Sequence, residues 1–165
     1  MNLEEKFNIL VNKMNFGHYD EVIFETNYLI KKFPKQEALY NLLALTYQAK
    51  GEYDKSIDLL NDALKRSKNN TNFLNNIGLG YYRKKDYIKA EVYFNKVLEL
   101  NPRFINTINN LAGLYNEINN TNFLNNIGLG YYRKKDYIKA ENYFKKVLEL
   151  NPRFINTINN LAGLY

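Results

Sequence analysis

The 165 residues include no cysteine, no tryptophan, one histidine and three prolines. Without cysteine there is no disulfide framework and no thiolate zinc site. With one histidine, zinc needs a site dominated by carboxylates, and no such grouping is visible. That residue, His18, reads as part of a turn between helices. No apolar run approaches the ~20 residues of a membrane span, and the opening MNLEEKFNIL turns acidic at once, unlike a signal peptide. The glycines form no phosphate loop, because no Lys-Ser or Lys-Thr follows them. Catalysis needs a positioned acid, base, nucleophile or metal. These absences therefore predict a soluble, cytoplasmic, non-membrane chain with no cofactor, no metal and no catalytic residue.

What is present is ordinary in bulk and ordered in detail. The composition is 45% hydrophobic and 24% charged, and fifteen Tyr with ten Phe supply flat, bulky wedges for helix packing. The formal net charge of +6 permits an acidic or nucleic-acid partner. The basic residues are scattered, however, or sit in turns such as Arg83-Lys84-Lys85, which reads as a solvated turn. No nucleic-acid partner is expected. Glu91, Glu99, Glu141 and Glu149 fall on predicted second helices among lysines, where i,i+4 surface pairing accounts for them.

The chain is organised around Thr71 to Phe104. Leu74, Ile77, Gly78 and Tyr81 stand at helical spacing, a polar break follows at Arg83 to Asp86, and Tyr87, Ala90, Phe94 and Val97 form a second helical run closed by Pro102. Small residues at Gly78 and Ala90 let the two backbones approach closely. Glu37–Asn70 repeats the layout, with Tyr40, Leu43, Ala44 and Tyr47, a turn at Gly51, then Tyr53, Ile57, Leu60, Ala63 and Leu64. Leu3–Gln36 repeats it more loosely: Leu3, Phe7, Ile9, Leu10 and Met14, the turn Phe16-Gly17-His18, then Tyr19, Val22, Ile23, Leu29 and Ile30 up to Pro34. A polar first helix of this kind suits a terminal capping unit. The expected fold is all-α, an antiparallel helix-hairpin solenoid forming one domain. The 34-residue pattern resembles the tetratricopeptide repeat family, most fully at Leu74, Ile77, Gly78, Tyr81, Ala90, Phe94 and Pro102, and least at Ser56, Leu60 and Lys68.

The register then breaks. Ile105 to Glu117 starts a further unit, with Ile108, Leu111, Ala112 and Tyr115, but at Asn119 the sequence restarts as NNTNFLNN. Residues 119–165 repeat 69–115 at an offset of 50, differing only at Val92 against Asn142 and Asn95 against Lys145. Such near-identity exceeds what packing demands and marks a recent duplication or a join made in assembling the sequence. The expected units are 3–36, 37–70, 71–104, a half unit 105–120, then 121–154 and a half unit 155–165, with a phase break near 117–121. At that break, either Thr121 to Lys134 takes a second-helix slot or the solenoid bends at Asn119-Asn120. The polar junction argues against one helix running from Ile105 to Lys135. The last helix lacks its mate, so a stripe of Ile158, Leu161, Ala162 and Tyr165 is expected to be partly exposed and open to self-association.

One feature goes beyond packing. Asn72, Asn75 and Asn76 recur as Asn106, Asn109 and Asn110, then as Asn122, Asn125 and Asn126, and as Asn156, Asn159 and Asn160. Spacings of three and four put them on one polar stripe of each first-type helix. An amide offers both donor and acceptor, so a row of them can pair with an extended peptide backbone. The competing account is composition: the chain is rich in Asn and Lys throughout, and asparagine is a poor helix former left to exposed faces. The NNIG and NNLA segments look like the asparagine-bearing helices of the O-linked N-acetylglucosamine transferase repeat arm. That resemblance implies ligand contacts at Asn76, Asn110, Asn126 and Asn160, with Asn72, Asn75, Asn106, Asn109, Asn122, Asn125, Tyr82, Arg83, Tyr132 and Arg133 beside them. The expected function is a non-catalytic scaffold holding an extended peptide or partner helix of another protein in a concave groove. The alternative is the substrate-recruiting arm of a longer glycosyltransferase- or sulfotransferase-like enzyme.

Overall fold

The computed structural model describes residues 2–118 and 121–164, and among these every regular element is an α-helix. In order they are α1 (Leu3–Asn15), α2 (Tyr19–Lys32), α3 (Glu37–Ala49), α4 (Tyr53–Leu64), α5 (Thr71–Arg83), α6 (Tyr87–Leu100), α7 (Ile105–Ile118), α8 (Thr121–Arg133), α9 (Tyr137–Leu150) and α10 (Ile155–Ala162). Proline ends α6 as expected: Asn101, forced out of the helical region by Pro102, is extended at φ −144°.

Between paired helices the chain turns in the same way four times. His18, Glu52, Asp86 and Asp136 donate their backbone N–H to the carbonyls of Lys13, Tyr47, Tyr81 and Tyr131, the six-to-one bond of a Schellman turn. The residue before each donor is left-handed. It is Gly17 (φ 84°) and Gly51 (φ 85°) in the first two turns, but Lys85 (φ 63°) and Lys135 (φ 60°) in the others.

The chain divides into two compact units, Met1–Leu111 and Ala112–Tyr165, with α7 beginning in one and ending in the other. The core of the first unit is a series of seams. Leu10, Val22, Leu29, Leu39 and Leu42 join the α1–α2 hairpin to α3. Tyr40, Ala44, Ile57, Leu60, Ala63, Phe73 and Ile77 join the α3–α4 hairpin to α5. Each hairpin therefore covers the apolar side of the next, which is how solenoids acquire a core. Where α5 crosses α6, a Cβ on Gly78 would lie 2.6 Å from Phe94, a ring with no exposure. The expectation that Gly78 is a packing position holds.

In the second unit α8 packs on α9 as α5 does on α6, and α10 lies against both. A Cβ on Gly128 would lie 2.4 Å from the buried Phe144. The junction Asn119-Asn120, where the phase break is expected, falls outside the described residues, as does Tyr165.

Two expected stripes are less buried than the spacing implies. Ile9 is 43% exposed, and of the α1 residues expected inside only Leu10 is fully buried among the described residues. On α7, Leu111 is buried, whereas Ile108 is 44% exposed. The side of α5 that carries Leu74 and Gly78 is covered by the second helix that follows it. No such helix follows α7 in the sequence before the restart. Ile158 on α10 is exposed to the same 44% as Ile108, while Leu161 is half-buried and Ala162 exposed.

Candidate functional site

The first-type helices of the first unit, α1, α3, α5 and the start of α7, line a groove of about 370 Å3. Stepping by one repeat places equivalent positions side by side: Ala38, Asn72 and Asn106 in one row, Phe7, Asn41 and Asn75 in another, and Val11 and Leu45 in a third. Met14, Leu42 and Asn76 complete the wall. Its composition changes along its length. The α1–α3 end is Phe7, Val11, Met14, Ala38, Leu42 and Leu45, interrupted by Asn41, and the α5–α7 end is asparagine alone.

Beneath this surface the amides are joined to each other. Asn76 donates from Nδ2 to Oδ1 of Asn41 at 2.9 Å, and Asn75 donates to Oδ1 of Asn76 at 3.2 Å. Oδ1 of Asn75 accepts twice, from Thr107 Oγ1 at 2.7 Å and from Asn110 Nδ2 at 3.0 Å. Gln48, itself buried, donates to Ser56 Oγ at 3.1 Å and to the Asn76 carbonyl at 2.7 Å. Each amide rung links a residue to one 35 positions earlier. The same step back from Leu42 reaches Phe7, so that rung is apolar, and Phe7 packs on the cluster that contains Leu42.

The asparagines expected to face a ligand therefore separate into two groups. Asn75 is 5% and Asn76 9% exposed, with their amides engaged in rungs, and Asn110 is half-buried as Asn75's partner. The physical reason is the short distance between adjacent first-type helices, which lets amides on neighbouring faces meet before solvent reaches them. Asn72 and Asn106 are exposed and line the groove. Asn109 is exposed but lies off the groove wall.

Tyr82 is half-buried, tilted against Tyr87 at 5.6 Å between ring centroids, and Arg83 is exposed. In the second unit Asn125 is 6% exposed and accepts from Thr157 at 2.7 Å and Asn160 at 2.9 Å. Asn122, Asn126 and Arg133 are exposed, as is Tyr132, which tilts against Tyr137 at 5.6 Å. The residues missed from sequence were the apolar ones on α1 and α3. Subtracting one repeat length from Asn72, Asn75 and Asn76 reaches Ala38, Asn41 and Leu42, so the signal was present.

Ion pairs link successive turns and the two helices of the first hairpin. Lys50 reaches Asp20 at 2.5 Å, and Lys84 reaches Asp54 one repeat later. Lys13 bonds Glu21 at 2.5 Å and Glu25 at 2.9 Å, which raises the Lys13 pKa above its ordinary value and lowers that of Glu25. Among the described residues no cluster of His, Asp and Glu can hold a metal, and no helix is long and apolar enough to cross a membrane.

Among curated proteins, no relative matches this sequence. Solved structures do resemble the fold. The TPR2AB domain of yeast Sti1 in its pHSP90 complex aligns with a TM-score of 0.60 at 20% identity, over 98% of this chain and 70% of that one. A TPR protein of Thermus thermophilus aligns with a TM-score of 0.57 at 14% identity, over 98% of this chain and 97% of that one. A tetratricopeptide repeat protein of Parabacteroides merdae gives 0.51 at 21% identity, over 98% and 58%. The sequence itself matches the tetratricopeptide repeat over residues 35–103 and again over 121–154. The first match spans the α3–α4 and α5–α6 hairpins and the second the α8–α9 hairpin, together more than half of the sequence, and the chain belongs to the tetratricopeptide repeat family.

Proposed function

We propose that this chain is a non-catalytic interaction scaffold that holds an extended segment of a partner protein in the groove of its first unit. The observation that carries the reading is the groove itself: a pre-formed concavity lined by four first-type helices, with exposed amides at Asn72 and Asn106. A pre-formed surface binds with less ordering cost than one assembled on contact. Asn72 and Asn106 pair with peptide backbone, and the amides of Asn75, Asn76 and Asn110 hold the helices at the spacing this requires. The yeast Sti1 domain, solved in a complex with pHSP90, supports the view that a stack of this kind can hold another protein.

The test is anisotropy titration of the full chain against a labelled library of extended peptides. Replacing both exposed amides, Asn72→Ala with Asn106→Ala, is expected to weaken the selected peptide about tenfold or more, from two hydrogen bonds of roughly 1 kcal/mol each. Helicity and unfolding midpoint stay unchanged, because neither side chain is buried. A peptide that binds equally well to this double variant ends the groove assignment. A second contact surface is proposed on α10, where Ile155 is 69% and Ile158 44% exposed. Sedimentation of the full chain tests it: self-association that Ile158→Asp abolishes supports it, and a monomer at all concentrations rejects it.

A further inference from the structure

The groove has a chemical bias that its repeat architecture alone does not dictate. The protein carries a formal net charge of +6, yet among the described residues no charged side chain lines this groove. Three lysines close in sequence to the wall are already committed: Lys6 to Glu25, Lys13 to Glu21 and Glu25, and Lys50 to Asp20 and Glu52. The bias is also directional. Half-buried Phe7, Val11, Met14 and Leu45 form one end, and exposed Asn72 and Asn106 form the other.

Resting on the groove assignment above, we infer that the segment bound there is uncharged, with large apolar side chains over the α1–α3 end and bare backbone over the α5–α7 end. Two electrostatic effects compete. The net positive charge attracts acidic peptides at long range, but over distances beyond ~8 Å that field is screened at physiological ionic strength. A carboxylate or ammonium laid on the apolar wall loses hydration and gains no counter-charge, an unfavourable local effect that salt does not remove. The local effect wins. Met14 strengthens the bias, since a flexible thioether adapts to differently shaped apolar side chains. At the other end, an amide pairs with backbone N–H and C=O alike, so that half reads extension and not sequence.

The experiment uses the full chain and three labelled peptides of equal length: Leu-Ser repeats followed by Gly-Ser repeats, and the same sequence with every Leu replaced by Glu or by Lys. The neutral peptide is expected to bind at least about tenfold tighter than either charged one at physiological salt, with an affinity almost flat across ionic strength. Ala38→Lys, on an exposed position of the apolar end, is expected to improve the Glu peptide and weaken the neutral one. Met14→Lys repeats the test from α1.

If a charged peptide binds as tightly as the neutral one, and Asn72→Ala with Asn106→Ala weakens it, the groove assignment stands and the inference is overturned. If the double variant leaves every peptide unaffected, the groove assignment itself is lost.

Discussion

Asn110 on α7 donates its side-chain amide to Asn75 on α5 at 3.0 Å, and the duplicated pair Asn160 and Asn125 makes the same bond at 2.9 Å. Each acceptor takes a second donor, Thr107 or Thr157, at 2.7 Å. Asn75→Ala therefore removes one side chain and strands the buried Thr107 hydroxyl, the half-buried Asn110 amide and the Oδ1 of Asn76. The expected loss is about 2–3 kcal/mol, set by unpaired buried groups. Asn110→Ala leaves Thr107 still bonded to Asn75 and is expected to lose only about 1 kcal/mol. Urea unfolding of both variants and of the double variant measures the coupling. A purely additive double variant would show that the two amides act independently.

The duplication supplies an internal control for helix packing. Gly80 and Gly130 occupy the same place in identical helices. A Cβ on Gly80 would lie 3.0 Å from Ile57 and 3.3 Å from Gln48, whereas among the described residues a Cβ on Gly130 meets nothing within 4 Å. Gly130→Ala is then a helix-propensity gain of up to ~1 kcal/mol. Gly80→Ala loses that gain against crowding beside the buried Gln48. Gly78→Ala and Gly128→Ala, which strike the buried Phe94 and Phe144, are expected to destabilise by about 1–3 kcal/mol. Thermal unfolding of the four single variants ranks them, and a stabilised Gly128→Ala contradicts the packing account.

A similar comparison isolates backbone strain. Lys85 and Lys135 sit in left-handed backbone where the first two turns have glycine. An L side chain there costs about 1–2 kcal/mol, part of which glycine gives back through its freedom in the unfolded chain. Lys85→Gly and Lys135→Gly are each expected to stabilise by up to ~1 kcal/mol and to raise the unfolding midpoint additively, since the two turns share no partner. Gly17→Lys and Gly51→Lys should do the reverse. No rise in midpoint for either lysine variant would mean that its turn tolerates the side chain.

Much of the fold was legible because solenoid packing is local and repeats itself. Tyr40, Ala44, Phe94 and Pro102 announce hairpins from spacing alone, and the hairpins are where the spacing puts them. The groove was only half legible. Hydrophobic periodicity separates a polar stripe from an apolar one, but it cannot say whether an amide on that stripe meets water or an amide on the next helix. Asn72 and Asn75 differ by less than a helical turn, yet one is exposed and the other is 5% exposed with both its acceptor sites engaged. That distinction is set by the distance between α5 and its neighbours. The apolar end escaped notice for the opposite reason: Phe7 and Met14 sit in the least regular repeat, where they read as ordinary core, and Val11 fell outside the expected stripe.

Lys13 on α1 bonds Glu21 and Glu25 on α2, and Lys6 adds a second cation 3.6 Å from Glu25. Hydrogen bonding from Lys13, ahead of any other influence, holds the Glu25 carboxyl below its ordinary value of 4.5, despite a partial desolvation that opposes it. A depressed carboxyl pKa stabilises the fold above the unfolded value, and that contribution is lost as pH falls through the folded one. Lys13, raised above its ordinary 10.5 by bonds to Glu21 and Glu25, has the opposite dependence: its contribution is present below that value and lost as pH rises past the folded pKa. The cluster is therefore intact from about pH 5 to about pH 10 and weakens on either side. Because these side chains are partly exposed, the effect is modest and screened by salt. Hydrogen exchange of the α1 and α2 amides should accelerate below pH 4.5, relative to α3 and α4, more at low salt than at high. Glu25→Gln should show weaker protection at neutral pH but a flatter response to acid. An acid response identical to that of the native chain would place the sensitive group elsewhere in the hairpin.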